Sequence, residues 1–256
     1  MAHCLITGGA DGIGRAVAER YAQAGYTVTI IDRDQVRGAD LCRELSAQGC
    51  SASFIQADLR EAQAIAAALA VLKGLPPADV VVHSAGISAV GRFGGSDMAA
   101  QHAVLDVNLR APLLLSAGLL ASGRVAAGGT LVFIASLSVF TSYPGAAVYA
   151  ASKDGLAAYA RSLRAALARR KINVLTVYPG PTRTAHARRY SPDNRRENRR
   201  MPPDRLAELI FAAVAKRQAT LIPGAGNRLF ARLGRLWPGL LDYAMRKTLL
   251  EKMANR

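Results

Sequence analysis

Tyr149 and Lys153 stand four residues apart in the run Tyr149-Ala150-Ala151-Ser152-Lys153, a spacing that puts both side chains on one face of a helix. A phenol normally keeps its proton at neutral pH. A nearby ammonium and the positive nicotinamide of a bound cofactor would favour the phenolate and bring such a tyrosine into the range of general acid/base work. Taken alone, the pattern is better explained by a solvated helix face. A second cluster lies at the other end of the chain. Thr7-Gly8-Gly9-Ala10-Asp11-Gly12-Ile13-Gly14 follows a short apolar run and leads into a helical one. Glycines let the backbone turn sharply and approach a pyrophosphate, and a helix N-terminus offers free N–H groups. The spacing G-x-x-x-G-x-G differs from the usual dinucleotide fingerprint, and a tight turn without a ligand is the competing reading. Asp32, at the end of the next apolar run, can accept hydrogen bonds from a ribose diol and would repel a 2′-phosphate. Asp11 adds to that repulsion, whereas Arg33 could pair with such a phosphate. Two carboxylates against one guanidinium favour NAD(H), with NADP(H) as the alternative.

The elements that must position these residues alternate between short apolar runs and longer amphipathic ones. Strands are expected at His3–Thr7, Thr27–Ile31, Ala52–Gln56, Val80–His83, Thr130–Ala135 and Asn173–Tyr178. Helices are expected at Ile13–Ala24, Asp34–Gln48, Glu61–Leu72 and Ala147–Arg170, with a helical pair over Met98–Val125. Runs such as VTII, VVV and LVFI are apolar on both sides of the alternation, as when helices cover both faces of a parallel sheet. The expected fold is α/β: a Rossmann-like doubly wound parallel sheet flanked by helices. It should span residues 1–222, followed by a helical C-terminal extension over 223–256.

With these pieces in order, the chain resembles the short-chain dehydrogenase/reductase (SDR) family in its classical branch, over roughly residues 3–222. The matching residues are the TGGADGIG turn, Asp58, His83-Ser84-Ala85-Gly86, Asn108, Ser136, Tyr149 with Lys153, and Pro179-Gly180. The resemblance implies an oxidoreductase that moves a hydride between a nicotinamide cofactor and a secondary alcohol or ketone. Tyr149 would be the general acid or base. Lys153 would lower its pKa and bind the nicotinamide ribose. Ser136 would bond the reacting oxygen, and Asn108 would hold a water linking Lys153 to solvent. Cofactor contacts are implied for Gly8, Asp11, Gly12, Ile13, Gly14, Asp32, Arg33, Asp58, Leu59, Ser84, Ala85, Gly86, Tyr149, Lys153, Pro179, Gly180, Thr182 and Thr184. Ser138 competes with Ser136 as principal serine, and Thr182 and Thr184 could merely cap the next segment. The family's usual Asn-Asn-Ala-Gly is His-Ser-Ala-Gly here. His83 reads as a hydrogen-bonded core histidine rather than a catalytic one.

Charge is unevenly spread. Residues 1–182 hold 16 Lys+Arg against 12 Asp+Glu, and residues 183–256 hold 17 against 6. Eight arginines (183, 188, 189, 195, 196, 199, 200 and 205) face only Asp193, Glu197 and Asp204 in the stretch 183–205, where the family keeps its substrate lid. That stretch reads as a solvated loop, as a funnel for an anionic substrate such as an acyl thioester on a carrier protein or coenzyme A, or as a contact for membrane phosphates. Beyond it, Arg228, Arg232 and Arg235 recur at helical spacing against Leu229, Phe230, Leu233, Leu236 and Trp237. After a break at Pro238-Gly239, Leu240–Met253 should form a second basic amphipathic helix, with Arg246, Lys247 and Lys252. Packing on a sister subunit or on the protein itself is the first expectation for these helices, and peripheral contact with a membrane surface the second. No groove-reading motif points to nucleic acid. A protein that keeps the fold only to sense a cofactor is a further alternative, opposed by the intact Asn108, Ser136, Tyr149 and Lys153.

Cys4, Cys42 and Cys50 have no C-x-x-C spacing, and the four histidines have no ligand spacing, so neither a disulfide framework nor a metal is expected. No basic and apolar leader opens the chain, and no spanning helix stands out. A cytoplasmic location is expected, with surface attachment to a membrane left open. Leu109–Ala121 is apolar nearly all round, which with the resemblance points to a homodimer or homotetramer.

Overall fold

The computed structural model describes residues 1–91, 97–191 and 194–247. The chain runs β1 (His3–Thr7), α1 (Gly12–Gln23), β2 (Thr27–Asp32), α2 (Gln35–Ala47), β3 (Ala52–Gln56), α3 (Ala62–Lys73), β4 (Ala78–His83), α4 (Met98–Leu105) and α5 (Ala111–Ala121). It continues through β5 (Val125–Ile134), α6 (Ala147–Leu167), β6 (Asn173–Val177), α7 (Ala185–Tyr190), α8 (Pro203–Ala215), β7 (Thr220–Leu221), α9 (Ala225–Leu236) and α10 (Pro238–Met245). All seven strands are parallel, in the order β3-β2-β1-β4-β5-β6-β7. The order reverses between β1 and β4, which opens a crevice at the carboxyl ends of the strands, where a doubly wound sheet binds its ligand.

Two apolar layers sandwich the sheet. One packs α1, α2 and α8 on it through Val17, Tyr21, Leu41, Leu45, Leu206 and Ile210. The other packs α3, α5 and α6 through Ile65, Leu72, Leu115, Leu119, Leu156 and Ala160. Burial on both faces explains why the strands are continuous apolar runs.

The first turn depends on two glycines. Gly8 has φ +70°, and a Cβ there would stand 2.5 Å from the Ala85 Cα. A Cβ on Gly14 would stand 2.0 Å from the Gly8 carbonyl oxygen. The backbone therefore folds back on itself tightly enough to point α1 into the crevice. Asp32 holds the turn from the side: its carboxylate accepts from Ala10 N and from Asp34 N, each at 3.1 Å.

The expected helical pair Met98–Val125 is shorter and more divided than the sequence suggests. α4 passes through a π turn (Asp106–Arg110) into α5, which ends at Ala121. β5 then starts at Val125 rather than Thr130, because Gly128 and Gly129 mark a bulge instead of a boundary. The pairing of β5 with β4 shifts register there, and a Cβ on Gly129 would come within 3.0 Å of the Asp79 carbonyl oxygen. Met98–Ala121 as a whole is apolar and long enough to cross a membrane by length and composition, but Val104, Ala111, Leu115 and Leu119 on it lie in the core. α6 ends at Leu167 and tightens into a short 3₁₀ turn, Ala168–Arg170. Pro238 opens α10 rather than breaking the chain, since a proline fits the first turn of a helix. Asp193, Lys252 and Met253 lie outside the described residues.

His83, the last residue of β4, is buried among apolar groups. Its Nε2 bonds Ser116 Oγ at 2.9 Å and its ring stacks on Phe133 at 4.9 Å. Its Nδ1 has no partner among the described residues. The core position expected for it is therefore observed, with only one ring nitrogen satisfied. Burial drives its pKa down to about 3.

Two outcomes follow from these features. Gly14→Ala should destabilise the fold by about 3 kcal/mol in urea unfolding, because a backbone clash has no flexible side chain to relieve it. His83 is neutral when folded and basic when unfolded, so its contribution to stability is complete above its ordinary pKa and is lost as the pH falls toward 3. Between pH 7.5 and pH 5 wild type should lose about 2 kcal/mol more than His83→Gln. Equal losses in the two proteins would refute the assignment.

Candidate active site

α6 carries Tyr149 and Lys153 toward the crevice. Lys153 is buried at 4% exposure. Its Nζ lies 5.8 Å from the Tyr149 ring centre and donates to the Ile134 carbonyl at 2.9 Å. That carbonyl ends β5, so one bond fixes the helix against the sheet. Ser136 follows two residues later and caps the turn Leu137–Phe140, accepting from Ser138 N at 3.1 Å. Its hydroxyl also lies close enough to Tyr149 to lower that phenol's proton affinity. Ser138, the competing serine, is buried and its Oγ has no partner among the described residues.

Asn108 sits inside the π turn between α4 and α5. Widening a helix by one residue redirects its side chains, and such turns often mark functional sites. Asn108 Oδ1 accepts from Ile87 N at 2.8 Å, while Nδ2 donates to Ile87 O at 2.9 Å and Ser152 Oγ at 3.1 Å. Ser152 Oγ in turn donates to Tyr149 O at 2.7 Å. Asn108 thus ties the loop after β4 to the helix bearing Tyr149 and Lys153.

The proton affinities are set mainly by burial. Burial lowers the Lys153 pKa to about 8. It raises the Tyr149 pKa to about 12, an effect the Ser136 hydrogen bond partly opposes. The expected lowering of the tyrosine by the lysine is therefore not present in the protein alone. Desolvation dominates, and at neutral pH the phenol holds its proton while the ammonium remains charged.

The crevice fits a dinucleotide. A Cβ on Gly12 would come 3.3 Å from Thr184 Cγ2, so the glycine turn and the segment after β6 face each other across it. A Cβ on Gly86 would come 3.4 Å from both Asn108 Oδ1 and Lys153 Nζ, so the bare backbone leaves room beside the two polar groups. Ser84 N bonds Thr7 O at 3.2 Å and Ala85 N bonds Thr7 Oγ1 at 3.3 Å, joining the loop after β4 to the glycine turn. Ile13 packs on the core from the first turn of α1. Pro179 O accepts from Leu137 N at 3.2 Å, and Gly180 lies against Asn227 of α9. Thr182 is buried and bonds Gly180 O at 3.1 Å, whereas Thr184 caps α7 by accepting from Ala187 N at 3.1 Å.

Arg33, Asp34, Gln56, Ala57, Asp58 and Ala64 line an open hollow beyond β2 and β3. Arg60 clamps the Asp58 carboxylate and holds its pKa below the usual range. Leu59 is buried beside it. Asp11 accepts from Gly12 N at 2.7 Å and pairs with Arg37 at 3.0 Å. The sequence balance of two carboxylates against one arginine omitted Arg37, which offsets part of the charge on Asp11.

Sequence reasoning also missed an aromatic wall beside Tyr149. Tyr143 lies 6.3 Å from the Tyr149 ring, His186 6.4 Å on another side, and Tyr190 4.8 Å beyond His186. Burial first, and the Lys153 charge second, push the His186 pKa down to about 4, so its imidazole is neutral. Tyr143 belongs to a loop and His186 to the short α7, and neither stands at a fixed spacing from Tyr149 that could have marked it. Within the basic stretch containing α7, Arg188 grips Glu197 at 2.8–3.2 Å, and Arg200 bonds Asn194 at 2.7 Å.

Comparison with known proteins agrees with this geometry. The family model described as short chain dehydrogenase matches residues 2–195. A 1-deoxy-11-beta-hydroxypentalenate dehydrogenase from Streptomyces avermitilis is 34% identical over 247 residues, covering 91% of this chain and 89% of its own. Among solved structures, a short-chain dehydrogenase from Sphingobium yanoikuyae in complex with NADPH superposes with a TM-score of 0.81 at 27% identity, over 92% of this chain and 93% of that one. A 3-ketoacyl-(acyl-carrier-protein) reductase from Brucella melitensis complexed with NADH does so with a TM-score of 0.77 at 25% identity, over 88% and 98%. The chain belongs to the short-chain dehydrogenase/reductase family and is an oxidoreductase of alcohol or ketone groups that uses a nicotinamide cofactor.

Proposed function

We propose that the protein interconverts a moderately apolar secondary alcohol and its ketone, with NAD(H) preferred over NADP(H). The observation that carries the reading is the convergence of Ser136, Tyr149 and Lys153, braced by Asn108, at one point of the crevice. Ser136 orients the substrate oxygen. Tyr149, protonated at neutral pH, donates its proton to that oxygen during reduction and takes it back during oxidation. Lys153 holds positive charge beside the phenol and would bond the nicotinamide ribose. The nicotinamide, when bound, supplies or accepts the hydride. The aromatic wall of Tyr143, His186 and Tyr190 favours an apolar substrate.

The preference for NAD(H) rests on Asp32, which ends β2 beside the hollow lined by Arg33 and Asp34. A carboxylate there suits a ribose diol and opposes a phosphate. A second reading is reduction of a 3-oxoacyl thioester on a carrier protein or coenzyme A, favoured by the exposed arginines around α7. The three cysteines are unpaired thiols, which suits a cytoplasmic setting. The outer face of α5, with Leu114 exposed and Leu113 and Leu120 half-buried, suits a sister subunit in a dimer or tetramer.

Tyr149→Phe should bind NADH with unchanged affinity and lose turnover by roughly 10²–10⁴-fold. Retained turnover would overturn the mechanism, and a cofactor-sensing role would show no turnover in wild type on a panel of secondary alcohols, ketones and acyl thioesters followed by NADH absorbance. Titration of the free enzyme should give tighter binding of NADH than of NADPH, and the reverse order would refute the cofactor preference.

A further inference from the structure

α9 and α10 lie beside the site, and α9 has three unlike faces. One is made of small residues. Ala231 and Gly234 are buried, and a Cβ on Gly234 would stand 2.0 Å from the Phe140 carbonyl oxygen. This face seats α9 on the turn that follows Ser136. Asp242 of α10 accepts from Ser142 N at 2.8 Å and fastens the second helix to the same region. The opposite side is apolar and open to solvent. Leu229 and Leu236, two turns apart on one side of α9, are 57% and 67% exposed, and Trp237, Leu240 and Tyr243 are 57%, 61% and 55% exposed. Five of the twelve exposed large hydrophobic side chains among the described residues thus fall within one short stretch. Along its flank run Arg228, Arg232 and Arg235, followed by Arg246 and Lys247, all exposed. None of these five cations forms an ion pair among the described residues.

We propose that α9 and α10 are a docking surface for an anionic lipid bilayer. The helices lie in the plane of the interface, with Leu229, Leu236, Trp237, Leu240 and Tyr243 at the acyl boundary and the basic flank against lipid phosphates. Three features favour this occupant. An apolar stripe beside a basic one is the pattern of an interfacial helix. Tryptophan and tyrosine suit the headgroup level. A second copy fits poorly, because a two-fold contact would set the basic flank against itself, and Asp242, the single acid in α9 and α10, is already engaged. The proposal does not depend on the catalytic reading.

The test is flotation of the full-length protein with vesicles of phosphatidylcholine alone or with about 30% phosphatidylglycerol, the anionic lipid supplying the surface potential. Trp237 is the sole tryptophan of the chain, so its emission reports insertion directly. The protein should float with the anionic vesicles only, with a blue-shifted emission, and come off in about 0.5 M salt. L236S/L240S and R228E/R232E should each lower partitioning by roughly tenfold or more, with unchanged thermal midpoints. Both variants alter exposed side chains away from the catalytic groups. No flotation with anionic vesicles, equal flotation with neutral ones, or partitioning untouched by both variants would overturn the proposal. Self-association abolished by L236S/L240S without vesicle binding would assign the surface to a second copy. Polyglutamate binding without vesicle binding would assign it to an acidic protein.

Discussion

The site depends on a buried ammonium. Removing Lys153 from water is costly unless the protein returns hydrogen bonds to it, and the Ile134 carbonyl at the end of β5 supplies one. That bond can form only if α6 lies across the end of β5 at a fixed height, which also sets Tyr149 beside Ser136. Gly86 leaves the space next to the ammonium free of side-chain carbon, and Asn108 braces the neighbouring loop. Burial also sets the chemistry. It weakens the lysine's hold on its proton and strengthens the tyrosine's, so the protein alone offers a neutral phenol next to a cation. That is the protonation state from which the proposed proton donation to a carbonyl would start.

Much of this was legible in the sequence because it is encoded locally. A glycine turn between an apolar run and a helical one, and a tyrosine four residues before a lysine, are short-range patterns. The strand order follows from repeated β-α alternation together with the handedness of crossovers. Less legible were features that arise between distant segments. Gly128 and Gly129 look like a loop, yet they form a bulge that lets β5 begin five residues earlier than expected. Arg37 reaches Asp11 only because α2 packs beside α1. His186 meets Tyr149 only because α7 folds over the crevice. A spacing rule cannot see such meetings. Burial of the Tyr149 hydroxyl is likewise invisible in a spacing, because it depends on everything packed around the group.

The basic excess of the last third also resolves into parts with different physics. Around α7, Arg188 holds Glu197 and Arg200 holds Asn194, while Arg183, Arg189, Arg196 and Arg199 are exposed. Along α9 and α10 they face solvent beside apolar side chains. One sequence feature, an arginine-rich tail, thus covers an internally braced flap and an outward-facing amphipathic surface. Only the packing distinguishes them.

The π turn at Asp106–Arg110 has a consequence for how this region can vary in length. It accommodates one residue more than an α-helical path would need, and that extra residue turns the Asn108 amide toward Ile87 and Ser152. Deleting one residue within the turn would let the helix straighten with its two flanks still in phase, and would swing Asn108 away from Ile87 and Ser152. The register of the segment is held at two points at once, by an amide inside the crevice and by the leucines that seat α5 on the sheet, a constraint its uniform apolar composition does not suggest.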